Sequence, residues 1–162
     1  MDAAHKSHWE ISEVVFGIPL LIALLVQFAV PLSVPAGPLR VASIVGGIVL
    51  IVLGVVFIAL ARREFAQFSQ PTDPGHPTTR MVTTGVFAVS RNPIYFGAGC
   101  FMAGLGLAVN WLWVLIFLLP SLVACYYVLI APEEKYLTVR FGAEYRLYTA
   151  AVHRWIGRTG IH

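Results

Sequence analysis

Charge is what this chain has least of. Asp, Glu, Lys and Arg make up 12% of its residues, against about 25% in an ordinary soluble domain. With 58% hydrophobic residues, that shortage describes a membrane protein and not simply a rich core. Cysteine is scarce too. Cys100 and Cys125 both fall inside one apolar run, where a disulfide or a metal site is not expected and small core cysteines are. The basic residues flank apolar runs and form no patch with interleaved aromatics, which argues against nucleic acid as a partner. No cleavage-site pattern follows the N-terminal acids Asp2, Glu10 and Glu13, so the first apolar run is expected to stay as a helix. Inside the apolar runs, polar side chains reduce to Gln27, Asn110 and a few serines.

What is there begins with length. The 41 residues from Asn92 to Pro132 contain no Asp, Glu, Lys or Arg. As one helix they would extend roughly 60 Å, about twice a bilayer core. The run must fold back on itself, and Asn110 marks the place. A hairpin of two helices, 93–109 and 111–131, then delivers both its feet to one membrane face. One foot carries Ser90, Arg91, Asn92, Pro93 and Tyr95, and the other carries Glu133 and Glu134. Asn92 followed by Pro93 reads as a helix start. Gly97, Gly99, Ala103, Gly104 and Gly106 leave one side of the first arm bare. That side either packs closely on another helix or exposes backbone to a ligand.

Upstream, 14–34 is expected as a first span, with Pro19 in its early part and Trp9 as an interfacial anchor before it. A turn rich in proline and glycine precedes the second span, 41–61, which is of bilayer length. Gly46, Gly47 and Gly54 there would let another helix come close. The connection 62–92 is the long polar one. Its first residues, from Arg62 to Phe68, continue the second helix, and Pro71 to Pro77 form a surface loop. Downstream, Leu137, Phe141, Tyr145 and Tyr148 recur at helical spacing. An amphipathic helix over 133–155, lying along the membrane surface and open to interruption at Gly142, is therefore expected. The fold class is all-α: one polytopic domain of four transmembrane helices and a C-terminal interfacial helix. With four spans, ten of the eleven basic residues fall on one side and Arg40 alone on the other. Both termini and the long connection should then be cytoplasmic.

Adjacent helical positions point about 100° apart. One of Glu133 and Glu134 should therefore face the space between the feet while the other pairs with a neighbouring arginine. Taken with the residues before the first foot, these positions form a pattern. From Val82, Thr83, Thr84, Gly85, Val86 and Phe87 through Ser90, Arg91, Asn92, Pro93, Tyr95 and Gly97, the chain resembles the signature T-x-G-x-Y/F-x-x-x-R-H/N-P-x-Y-x-G. That signature belongs to the isoprenylcysteine carboxyl methyltransferases and their bacterial relatives, and phospholipid methyltransferases share its outline. The second foot matches as well, through Glu133, Glu134, Leu137, Phe141, Gly142, Tyr145 and Tyr148. Residues 79–155 are covered, nearly half the chain.

The resemblance implies an integral-membrane methyltransferase of the bacterial inner-membrane type. Its cofactor would be S-adenosylmethionine, entering from the cytosol, and its substrate lipophilic, entering from the bilayer. Carried over position by position, the cofactor site comprises Arg80, Met81, Val82, Phe87, Arg91, Asn92, Pro93, Tyr95, Glu133 and Glu134. Glu133 would hold the cofactor ammonium, and the rings of Phe87 and Tyr95 would face its sulfonium or adenine. Asn92 stands where the family more often has histidine. Methyl transfer to a carboxylate needs positioning and exclusion of water more than acid–base help. Prenylcysteine enzymes carry a substrate-anchoring arginine four residues before the first glutamate. This chain has Leu129 there; Arg154 either stands in for that arginine or is an exposed interfacial one. His153 is expected at the surface, although it could serve as a base for an amine or thiol nucleophile. Two other readings are a sterol-type reductase using a nicotinamide cofactor, whose glutamate position is Ala98 here, and a non-enzymatic four-helix scaffold. The first is weakened by that alanine, the second by the shortage of polar residues within the spans.

Overall fold

A computed structural model describes residues 12–68 and 80–159 of the chain. The expected anchor Trp9 and the loop from Pro71 to Pro77 lie outside these residues. The described residues form helices and no strand, in the order α1 (Ser12–Ala29), α2 (Pro38–Gln67), α3 (Pro93–Val109), α4 (Leu112–Ala124), α5 (Ala131–Phe141) and α6 (Ala143–Ala151). A 3₁₀ turn at Gly85–Ala88 precedes α3, and a π-helical stretch at Cys125–Ile130 joins α4 to α5.

The hairpin folds back at Asn110, the described non-glycine residue with positive φ (68°). Asn is the residue type other than glycine best suited to that left-handed cap. Its side chain does more than cap. Asn110 Oδ1 accepts from Val34 N at 2.8 Å and Nδ2 donates to Val34 O at 3.1 Å. The Arg40 guanidinium donates to Leu107 O and Ala108 O, both at 2.8 Å. It thereby neutralises the negative end of α3. The one basic residue expected on the far side thus ties the α1–α2 turn to the tip of the hairpin.

Helix α2 packs along α3 through matched glycines seven residues apart. A Cβ on Gly54 would meet Gly97 O at 2.5 Å, and one on Gly104 would meet Gly47 O at 2.6 Å. A Cβ on Gly99 would meet Leu122 of α4 at 3.4 Å, and one on Gly106 would meet Val114 at 3.1 Å. The bare side of α3 is therefore filled by helices, which rules out a ligand against its glycines. Helix α4 packs between α3 and α1, burying Val15, Phe16, Ala23, Met102, Val114, Leu118, Cys125 and Leu129. Cys100 and Cys125 are free thiols, the latter buried.

Outside this core the surface stays apolar. Val41, Val45, Val49, Val52 and Val56 of α2 and Leu21, Leu25 and Phe28 of α1 are exposed, as expected where lipid rather than water is the solvent. Two helical runs, Pro38–Gln67 and Leu112–Phe141, are long and apolar enough to cross a bilayer, whereas α1 and α3 are shorter apolar helices.

Three boundaries differ from expectation. Helix α1 stops at Ala29: Val30 N still donates to Val26 O at 2.7 Å, but Pro31 has no N–H with which to continue the helix. The second arm does not end near residue 131. It runs without a break into α5, as the π turns, closed by Ala131 N to Tyr126 O, carry the helix through Pro132 and its missing N–H. The C-terminal stretch 133–155 is two helices, broken at Gly142 (φ 54°), and after Ala151 it is a tail bridged between Val152 and Arg158. Its first part rises from α4 instead of starting afresh along the surface.

Candidate functional site

At the end of the hairpin opposite Asn110, the two feet enclose one cavity of about 520 Å³, part of it open to solvent. Met81, Val82, Phe87, Arg91 and Asn92 line it from the first foot, and Glu133, Glu134 and Leu137 from the second. Tyr145 and Tyr148 of α6 and Phe65 of α2 complete the wall.

Local structure explains how each group arrives. The polar end of α2 carries Glu64, which accepts from Thr84 Oγ1 at 2.9 Å and lies so close to Gly85 that any Cβ there would collide with its carboxylate. Gly85 turns at φ 56°, a conformation glycine adopts without steric cost. The 3₁₀ turn that follows buries Val86 and Phe87 against Ala61, with Phe65 tilted on Phe87 at a centroid distance of 4.9 Å. Asn92 stands before α3, but its side chain makes no capping bond. Instead Nδ2 donates to Arg154 O at 3.3 Å.

Both glutamates line the cavity, and Glu134 is the one seen to bind two arginines. Glu134 receives Arg91 Nη1 at 3.1 Å on Oε1, and Arg154 binds it in bidentate fashion, Nε to Oε1 at 2.9 Å and Nη2 to Oε2 at 2.8 Å. Such paired, charge-assisted bonds are the stronger kind. Glu134 and Arg91 are 19% and 12% exposed, so water screens this ion pair only partly. Glu134 also holds the Arg154 guanidinium above its ordinary pKa. The same guanidinium lies over the Tyr126 ring, 4.9 Å from its centroid. Arg154, one candidate for meeting an acceptor carboxylate, thus turns two of its nitrogens to Glu134 because that carboxylate is already within reach.

The tyrosines are set by burial. Tyr148 donates to Phe87 O at 2.7 Å, and desolvation pushes its hydroxyl pKa well above the usual phenol range. Tyr145 is displaced upward too, first by burial and then by the Glu134 carboxylate, while Arg91 pulls the other way.

Seven of the residues expected in a cofactor site share this one cavity: Met81, Val82, Phe87, Arg91, Asn92, Glu133 and Glu134. Tyr95 and Pro93 do not line it. Tyr95 is buried in the hairpin core cluster with Leu129 and Ile130, and Pro93 is fully buried. Arg80 sits at the side, its guanidinium 5.3 Å from the Phe68 ring centroid. His153 is exposed and outside the cavity wall, as expected of a surface histidine. Phe65, Leu137, Tyr145 and Tyr148 line the wall as well, although sequence reasoning does not mark them as site residues. The aromatic spacing in α6 was visible, but not that the tail folds back to present it. Arg91 Nε is a buried donor with no partner, an arrangement that costs about 1–3 kcal/mol unless an acceptor meets it.

Compared with known families, residues 42–144 match the model of the phospholipid methyltransferases. No curated protein and no solved structure matches the chain.

Proposed function

Because the chain belongs to the phospholipid methyltransferase family, we propose that the cavity between the hairpin feet binds S-adenosylmethionine and delivers its methyl group to a lipophilic acceptor from the bilayer. The family is one of membrane-associated methyltransferases acting on lipid-type substrates. The reading goes further, to this cavity and these residues. Its main support is that Met81, Val82, Phe87, Arg91 and Asn92 from one foot and Glu133 from the other line a single space.

The donor set suits the cofactor's groups. Glu133 offers a carboxylate to an ammonium, and the partnerless Arg91 Nε offers a buried N–H to a carboxylate. Phe65, Phe87, Tyr145 and Tyr148 supply apolar and aromatic wall for a nucleoside. When bound, the cofactor supplies an electrophilic methyl group on a sulfonium. The chain's own task is then to hold donor and acceptor in line and to keep water out. Leu129, at the position where prenylcysteine enzymes carry an anchoring arginine, is fully buried. A membrane lipid-type acceptor therefore suits this chain better than a prenylcysteine carboxylate. Arg154, held by the cavity residue Glu134 and partly exposed, is the group this reading assigns to an acceptor's anionic end. In this reading all four apolar helices α1 to α4 span the membrane, with both termini and the cavity on the cytoplasmic side, where ten of the eleven basic residues gather.

The test is chemical. Membranes containing the protein are incubated with S-adenosylmethionine labelled in its methyl group, and the lipids are extracted. Label in the lipid fraction, lost in Glu133→Gln, is expected. Label absent from lipid despite folded protein would contradict the proposal.

A further inference from the structure

The segment after α6 is strapped to the first foot of the hairpin. His153 N donates to Gly157 O at 2.9 Å, Gly157 N to Val89 O at 2.8 Å and Arg91 N to His153 O at 3.1 Å. Asn92 Nδ2 adds its bond to Arg154 O. One carboxylate joins this strap to the second foot. Glu134 takes Arg91 on Oε1 and Arg154 on both oxygens, so chain positions 91, 134 and 154 meet at one group. With both oxygens engaged by guanidiniums, Glu134 is poorly placed to receive a further cation, although it lines the same cavity as Glu133. Between the second foot and the strap lies α6, which carries the wall residues Tyr145 and Tyr148 and is joined to α5 at Gly142.

We propose that Glu134 is a positioning residue: by fastening Arg154 and Arg91 to itself it holds the C-terminal strap and the α6 wall against the cavity, without touching the methyl donor. This rests on the cavity being the donor site, and it assigns the two adjacent glutamates different work. A direct ligand loses its contribution whatever happens to Arg154. A fastening residue loses most of its effect once Arg154, its link to the strap, is gone, and keeps only its hold on Arg91.

The experiment is a double-mutant cycle on the full chain in detergent, with S-adenosylhomocysteine as the titrant and Glu134→Ala, Arg154→Ala and the pair as variants. Each single change is expected to weaken binding about tenfold, and the pair no more than the worse single, because neighbours in one network are not additive. Glu134→Asp should recover part of the loss. If Glu134→Ala costs the same factor with or without Arg154, or costs nothing, the proposal is overturned. Hydrogen exchange on the same variants, without titrant, reads the strap directly. The amides of Arg91 and Gly157 should exchange faster in Glu134→Ala while those of the α2–α3 core do not change. Unchanged protection at both amides overturns the proposal even if the protein binds no S-adenosylhomocysteine, an outcome that would count against the donor site separately.

Discussion

Tyr148 and Tyr145 hold their protons more tightly in the folded chain than in water, because burial disfavours the phenolate. Below about pH 10 both hydroxyls are protonated, folded or unfolded, and they favour neither state. Above it, the unfolded chain releases protons that the folded chain keeps, so stability falls as pH rises, by at most about 1.4 kcal/mol per pH unit per group. Thermal unfolding should therefore drop more steeply between about pH 9.5 and 11 in the wild-type protein than in Tyr148→Phe, and an equal slope in the two would refute the assignment. At this scale the sequence was partly legible. The sequence led us to expect one of Glu133 and Glu134 to pair with arginine, and Glu134 does. It could not say that a second arginine, 20 residues on, would join that pair, since this depends on the tail folding back. Nor does sequence alone show that Asn92, a residue with strong capping preference, turns its amide to the tail.

Among the elements, the hairpin was the most legible, because a charge-free run twice too long for a bilayer has to turn and Asn110 is suited to the turn. The junction of α4 and α5 was not, because Pro132 usually opens a helix, whereas here a π stretch carries the helix through it. The glycines left two readings open, and contact distances decide for packing. Gly54 shows this against a control in its own helix. A Cβ at Gly54 meets α3 backbone at 2.5 Å, whereas one at Gly46 meets nothing within 4 Å. Gly54→Ala should force α2 from α3 and cost about 1–3 kcal/mol. Gly46→Ala should be neutral or gain up to about 1 kcal/mol from helix propensity. Thermal unfolding in detergent separates them, and equal midpoints for the two variants would contradict the packing.

On the scale of the whole molecule, the helices lie in the order α2, α3, α4, α1. This puts the two sequence-adjacent helices α1 and α2 on opposite flanks, joined across the hairpin tip by Asn110 and Arg40. Composition made an apolar, all-helical chain legible, but not this order, which follows from where the glycines meet. Under the four-span reading, a cysteine placed at Gln67 is labelled by an impermeant thiol reagent only from the cytoplasmic side, and one at Leu39 only from the other. Labelling of both from one side would remove that topology. The account's central claim is that two feet of one hairpin share a methyl-donor site closed by Glu133. Calorimetric titration of the purified protein with S-adenosylhomocysteine tests this most directly. Saturable binding to the wild type, lost in Glu133→Gln and not reproduced by a nicotinamide nucleotide, is expected. No binding to the folded wild type, or unchanged affinity in Glu133→Gln, would contradict it.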